Sequence, residues 1–255
     1  MNESIRQFDL RIFRAIEEPE RVADFLAGHR KVLSNLNAEA LKVTQDTWSD
    51  NPSVYVMALY SGQRMVGGSR LHLFHPEKSY PFEDAMRSSD ADMLRALEKN
   101  EHLLQAEWCG LWVSLEFKGY GFSDVLKRCA LATARNMGLE LIYGICPPHT
   151  MDLFRTVGYR FVTWNDEVIR FNYPSDNYRS YIIQCEVDTL EFTFRNERKQ
   201  IEEWQALGDK PFVYKSRMEE YLIKFHGYPS IPEETLIRPR PEGAPITRSL
   251  MLKRS

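Results

Sequence analysis

Apolar and polar positions recur along this chain with two different periods, and each change of period marks an element. Residues 5 to 16 alternate charged and apolar side chains, the pattern of an opening strand or short helix. Between residues 18 and 43, Val22, Phe25, Leu26, Val32 and Leu33 recur at helical spacing with charges between them. The polar stretch Thr44 to Ser53 ends in a turn marked by Asp50, Asn51 and Pro52. Two runs rich in β-formers follow, Val54 to Tyr60 and Arg64 to Phe74, and the Ser61-Gly62-Gln63 turn between them predicts a hairpin. Gly67 and Gly68 inside the second run predict a bulge or a close backbone approach.

Residues 75 to 102 are polar and broken by prolines, with a helix expected around Asp92 to Asn100. Residues 103 to 115, LLQAEWCGLWVSL, read as a strongly apolar strand in which Glu107 stands out as a carboxylate. Next comes Glu116-Phe-Lys-Gly-Tyr-Gly121 and a helix from Phe122 to Met137, whose apolar face is Phe122, Val125, Leu126, Cys129, Ala130, Thr133 and Met137. Gly138 ends it. Leu139 to Cys146 is a strand, Met151 to Thr156 a short helix, and Tyr159 to Phe171 and Tyr181 to Val187 two further strands. Strand, helix, strand, helix, strand is an α/β order. Residues 194 to 226 are charged and read as helical, and residues 229 to 245, with five prolines, read as an extended arm. The chain thus divides into a domain over 1–188 and a C-terminal extension over 189–255, for which packing on the domain, a homodimer contact and a lid are all open roles.

Composition narrows the classes. Of 255 residues, 43% are apolar and 27% charged, enough to fill a core, and the net charge of −3 gives no expectation of nucleic-acid or membrane binding. Four cysteines without a CxxC pair suggest neither a zinc site nor a redox motif. Cys109, Cys129 and Cys146 sit in apolar stretches, as free thiols do in a reducing compartment. The charged N-terminus lacks a signal-peptide core, and no run approaches the roughly 18 apolar residues of a membrane span, so a cytoplasmic protein is expected. His72 and His75 flank a strand end with no matching ligand cluster, so no metal is expected.

The chemistry concentrates at the glycine-containing turn. A strand, such a turn and a helix form an anion site: helix N-terminal N–H groups point outward, the helix dipole favours negative charge, Gly119 and Gly121 remove obstructing side chains, and Lys118 adds a full charge. The alternative is a plain βαβ connection.

The ordered set of strand, turn, unbroken amphipathic helix, strand, short helix and LFRTVGYRF (Leu153 to Phe161) resembles the GNAT acyltransferase superfamily over roughly residues 50 to 187. Its coenzyme A signature, Arg/Gln-x-x-Gly-x-Gly/Ala, reads here Glu116-Phe-Lys-Gly119-Tyr-Gly121, with Glu116 in place of Arg or Gln. WSDNPSVYVMAL and GQRMVGGSRLHLF further resemble the acyl-homoserine-lactone and N-acyl amino acid synthase branch, with Asp50 and Arg70 on matching positions and Gly110 where that branch has an Arg. The resemblance implies an α/β fold with a mixed central sheet flanked by helices, to which the residues beyond it add the helical and extended C-terminal appendage read above. It implies acyl-CoA as co-substrate, held by Trp112, Val113, Ser114, Lys118, Gly119, Tyr120, Gly121 and Phe122, and a small-molecule amine or amino acid as acceptor.

Acyl transfer to an amine needs a base, an oxyanion donor and an acid for the leaving thiolate. Glu107 in its apolar strand is the candidate base, or else a structural partner of Arg70. Backbone N–H groups near Val113 are candidate oxyanion donors. Phe154 stands where many GNAT enzymes carry an acidic Tyr, leaving Tyr159 or His149 for that role. Arg70 and Asp50 are candidates for acceptor binding, Arg70 for a carboxylate, or else for a simple ion pair. Two rivals remain: a donor delivered by an acyl carrier protein, and a non-catalytic binding module of the same fold.

Overall fold

In the computed structural model, residues 5–35, 46–86, 96–174 and 177–239 are described. Twelve strands are seen among them: β1 Arg6–Arg14, β2 Val54–Ser61, β3 Arg64–Leu73, β4 Gln105–Val113, β5 Leu141–Cys146, the short β6 Arg160–Phe161, β7 Thr163–Trp164, β8 Glu167–Val168 and β9 Arg170–Asn172, then β10 Arg179–Glu186, β11 Phe212–Lys215 and β12 Glu220–Phe225. The helices are α1 Pro19–Asn35, α2 Pro81–Met86, α3 Phe122–Asn136, α4 Met151–Arg155 and α5 Arg195–Ala206. Ten of the strands form one sheet in the order β11-β12-β1-β2-β3-β4-β5-β10-β6, with β9 also on β10. The pairs β1–β12 and β4–β5 are parallel and the other pairs of this sheet antiparallel, so the sheet is mixed as expected.

The core is split by the sheet. Phe8, Leu59, Leu71, Ala106 and Trp108 meet α3 through Phe122, Val125, Leu126 and Cys129 on one face. On the other, Val54, Val56, Ala58 and Trp112 meet α1 through Val22, Phe25 and Leu26. The paired glycines make both approaches close. A Cβ on Gly68 would lie 2.8 Å from the Phe25 ring of α1, and one on Gly67 would lie 3.1 Å from the Trp112 carbonyl and 3.4 Å from Leu126 of α3. Gly28 of α1 lies against the Trp112 ring, which a Cβ would meet at 2.2 Å.

Two sequence expectations change. The run from Tyr159 to Phe171 is four short strands, because Asn165 and Asp166 take φ of 49° and 64° and turn the chain back between β7 and β8. Residues 194 to 226 are not one helix: α5 ends at Ala206, and β11 and β12 form a hairpin. Tyr221, Ile223 and Phe225 alternate inward, and β12 joins β1 in register from Arg6↔Tyr221 to Leu10↔Phe225. Of the helix expected around 92–100, residues 96–98 are helical and 87–95 lie outside the described residues. The proline-rich arm is described to residue 239. It holds one short 3-10 turn, Glu233–Thr235, and Arg238 docks on Glu140 at 2.8 Å.

Candidate active site

The site begins with a break in pairing. β4 and β5 pair in parallel only at Gln105↔Leu141, Ala106↔Ile142 and Glu107↔Tyr143, while β4 runs on to Val113. Beyond Glu107 its β5-facing backbone groups are left by β5, which is how a sheet offers hydrogen bonds to a ligand. On its other side β4 stays on β3, but with a bulge: Gly68 faces Trp112 and Arg70 faces Cys109, so Gly110 and Leu111 share one partner position. Gly110 has φ of 63°. The extra residue reverses the side-chain alternation, so Trp108 lies in the α3-side core while Trp112 lies in the α1-side core.

Glu107 is the last paired residue before the splay and is wholly buried. Its Oε2 accepts the N–H of Phe82 at 2.9 Å, an orphan donor from the first turn of α2. Its Oε1 has no hydrogen-bond partner among the described residues. Burial pushes its pKa up to about 8, with the Phe82 N–H and Arg70 pulling the other way. Two positions along, on the same face, the half-buried Cys109 thiol is pushed up to about 12 by burial and lies beside Arg70.

Arg70 and His72 stand opposite Cys109 and Glu107 in the β3–β4 register. The Arg70 guanidinium is buried, stacked on Trp48 at 4.2 Å and near Phe25 at 5.8 Å. A Cβ at residue 110 would lie 2.8 Å from Arg70 Nε, so Arg70 fills the room a side chain there would need. His72 is buried and its imidazole is held well below its usual range by desolvation and by Arg70, and the same two causes bring His29 of α1 to about 4. Asp50 is not brought to this cluster: its side chain is 72% exposed and pairs with Lys78 at 2.9 Å.

At the turn, Gly119 and Gly121 have φ of 91° and 75°, conformations that favour glycine. Among the described residues, the N–H groups of Gly119, Gly121 and Phe122 donate to no backbone partner, which leaves them available to an anion. Glu116 does not face this group. Its carboxylate pairs with Arg64 at 2.5 Å and accepts from Ser114 Oγ, and that pairing with Arg64 lowers its pKa. It lines a cleft of about 630 Å³ on the α1 side, with Lys31, Trp112 and Ser114. Lys118 is exposed, while Phe122 is buried against Phe8, Phe117 and Tyr221. The C-terminal hairpin borders the turn: the Tyr221 hydroxyl donates to the Tyr120 carbonyl at 2.6 Å, and Tyr214 lies 3.2 Å from where a Gly121 Cβ would be. The Trp112 and Phe122 side chains are buried and that of Val113 is half-buried, so what the turn exposes is mainly its backbone.

Tyr159 is buried beside Trp108 and Phe154, its hydroxyl unpartnered and its pKa raised well above the usual value by desolvation. His149 is exposed, edge-on to Tyr178 at 6.3 Å. Among the described residues no group of His, Cys, Asp and Glu is arranged to hold a metal ion, and no helix is long and apolar enough to cross a membrane.

A scan against protein-family models finds no match, and a search of curated proteins finds none either. Solved structures do match. FeeM, an N-acyl amino acid synthase from uncultured soil microbes, superposes with a TM-score of 0.56 at 14% identity, over 76% of this chain and 98% of its own. BjaI, a CoA-dependent acyl-homoserine lactone synthase, gives 0.56 at 12% identity, over 92% and 98%. An acyl-CoA N-acyltransferase from Pseudomonas aeruginosa gives 0.51 at 13%, over 70% and 99%. With its splayed β4–β5 pair, bulged β4 and glycine turn opening α3, this chain has the fold of the GNAT N-acyltransferases, in the form shared with the acyl-homoserine-lactone and N-acyl amino acid synthases.

Proposed function

We propose that this protein is an N-acyltransferase that moves an acyl group from acyl-CoA to the amine of a small molecule or amino acid. The observation that carries the reading is Glu107: a fully buried carboxyl at the last paired position before β4 and β5 diverge, with one oxygen held by an N–H and the other free. A carboxylate with a pKa near 8 is matched to taking a proton from an ammonium group. The free N–H groups at Gly119, Gly121 and Phe122 suit the pyrophosphate of a coenzyme A donor, and the turning away of Glu116 removes the charge that would repel it.

In this reading Glu107 takes the ammonium proton, and the amine nitrogen attacks the thioester carbonyl carbon. Backbone N–H groups of β4 beyond Glu107 stabilise the oxyanion. The C–S bond then breaks, and the Tyr159 hydroxyl, kept protonated by burial, is the proposed proton donor to the departing thiolate. His149, exposed at the end of β5, is left out of this scheme. That FeeM is an N-acyl amino acid synthase and BjaI a CoA-dependent acyl-homoserine lactone synthase supports an amine acceptor and an acyl donor.

Thermal-shift titration with coenzyme A, acetyl-CoA and longer acyl-CoAs tests the donor. A ligand that binds only the folded protein raises its stability as RT ln(1 + [L]/Kd). A rise common to all of them is expected, larger for the acyl forms; no shift with any of them rules out coenzyme A as the donor carrier.

A further inference from the structure

The C-terminal hairpin holds the glycine turn at a single residue, Tyr120. Tyr221 of β12 is wholly buried, in register with Arg6 of β1, and its ring stands edge-on to Phe8 and Phe122 at 5.2 Å. Its hydroxyl donates to the Tyr120 carbonyl at 2.6 Å. The other end of Tyr120 is held as well: its hydroxyl accepts from Arg6 at 2.9 Å, and Arg6 pairs at 3.5 Å with Glu219, in the turn between β11 and β12. The hairpin is itself braced. The Tyr214 hydroxyl accepts from Arg128 of α3 at 3.0 Å, and Arg128 holds Glu197 of α5 through two hydrogen bonds of 2.8 Å.

The consequence lies in one peptide unit. The carbonyl of Tyr120 and the N–H of Gly121 belong to the same planar trans peptide, so they point in opposite directions. With the carbonyl drawn inward to the buried Tyr221 hydroxyl, the Gly121 N–H is turned away from the core, and among the described residues it donates to no backbone partner. Gly121 has φ of 75°, and a glycine takes either sign of φ at little cost, so without the hydroxyl this peptide would be free to turn over. Turned over, it would present a carbonyl oxygen where a phosphate needs a donor. The hydroxyl also polarises the peptide and strengthens its N–H as a donor. We infer that Tyr221 is a positioning residue for the acyl donor: it aims the Gly121 N–H at the diphosphate of coenzyme A, and so gives the C-terminal hairpin a part in donor binding. The inference rests on the acyl-CoA reading above and deepens it.

The first test uses the unaltered binding groups. Labelling with carbonyl-carbon-13 tyrosine and nitrogen-15 glycine selects two peptides of this sequence, Tyr120–Gly121 and Tyr143–Gly144, and Tyr143→Phe removes the second signal. Saturation with coenzyme A should move the Gly121 amide proton downfield, as a hydrogen bond to an anion does. Coenzyme A that binds by calorimetry and leaves this proton in place overturns the inference and spares the donor reading. Coenzyme A that does not bind at all overturns both.

The second test removes the hydroxyl. A hydrogen bond to a charged group is worth about tenfold or more in affinity. Tyr221→Phe should therefore raise the Kd of coenzyme A and the KM of acyl-CoA at least about tenfold, with kcat at saturating donor held within about twofold. Ile223→Val, also buried in β12, loosens the hairpin without touching Tyr120 and should leave the Kd unchanged. Native affinity in a folded Tyr221→Phe, or an equal loss in Ile223→Val, overturns the positioning role and leaves the enzyme reading standing. The expected change in Kd with no acyl transfer to any amine would sink the enzyme reading alone.

Discussion

Replacing Glu107 by Gln tests the burial of this carboxyl without any substrate. The variant keeps the shape and the acceptor for the Phe82 N–H, and removes only the ability to ionise. In the unfolded chain the carboxyl titrates near 4.5, and in the folded protein near 8. The sign follows from linkage. Above pH 4.5 the unfolded chain gives up the proton while the folded protein keeps it, so native stability falls as pH rises, until Glu107 ionises in the folded state as well. Each unit of pKa separation is worth roughly 1 to 2 kcal/mol, so the loss accumulates to roughly 5 kcal/mol by pH 8. Glu107→Gln carries no such loss. Urea denaturation of both proteins from pH 5 to 9 should give curves whose stability difference grows in favour of the variant up to about pH 8 and is flat beyond. Every other titrating group cancels in that difference. Parallel profiles would refute the reasoning, since they would mean that Glu107 titrates in the fold as it does in the unfolded chain.

Other outcomes follow from the same geometry. The pH profile of kcat/KM should rise to a plateau with an apparent pKa of about 8, from Glu107, and lose that inflection in Glu107→Gln. Gly28→Ala, a change that ordinarily favours a helix, should instead destabilise by about 1–3 kcal/mol in denaturant titration, because its Cβ would lie 2.2 Å from the buried Trp112 ring. Gly121→Ala forces a side chain into φ of 75° and against Tyr214, and calorimetric titration should show weakened coenzyme A binding with the fold retained by circular dichroism.

The parts of this molecule that were legible in its sequence are the ones set by local rules. The glycine turn, the amphipathic α3 and the hairpin of β2 and β3 each have a signal within a few residues, and Glu107 is conspicuous because a carboxylate in an apolar strand is rare. The two glycines in β3 signalled close approach, and α1 and α3 supply it. The polar cluster depended on register instead. Arg70 and His72 lie two apart on β3, and Glu107 and Cys109 two apart on β4; that they share a face follows only once the strands are paired. The alternation of polar positions in two apolar strands was the available clue. Asp50 and Arg70 were joined by resemblance, but Lys78 lies nearer in the fold and takes the aspartate. The hairpin of β11 and β12 was hidden by charge: Lys215, Glu219, Glu220 and Lys224 suggested a helix, whereas the inward Tyr221, Ile223 and Phe225 have a period of two. That β12 closes against β1, more than two hundred residues earlier, is a long-range pairing that no local pattern announces.

In the proposed reaction the Glu107 carboxyl drives acyl transfer from a coenzyme A thioester to an amine. The most direct test is to incubate the protein with an acyl-CoA and a pool of amino acids and amines, and to identify amide products by mass spectrometry alongside the release of free coenzyme A thiol. An acyl amide is expected to form in step with thiol release, and to be reduced at least about a hundredfold in Glu107→Gln. Thiol release without an amide, or amide formation undiminished in that variant, would contradict it.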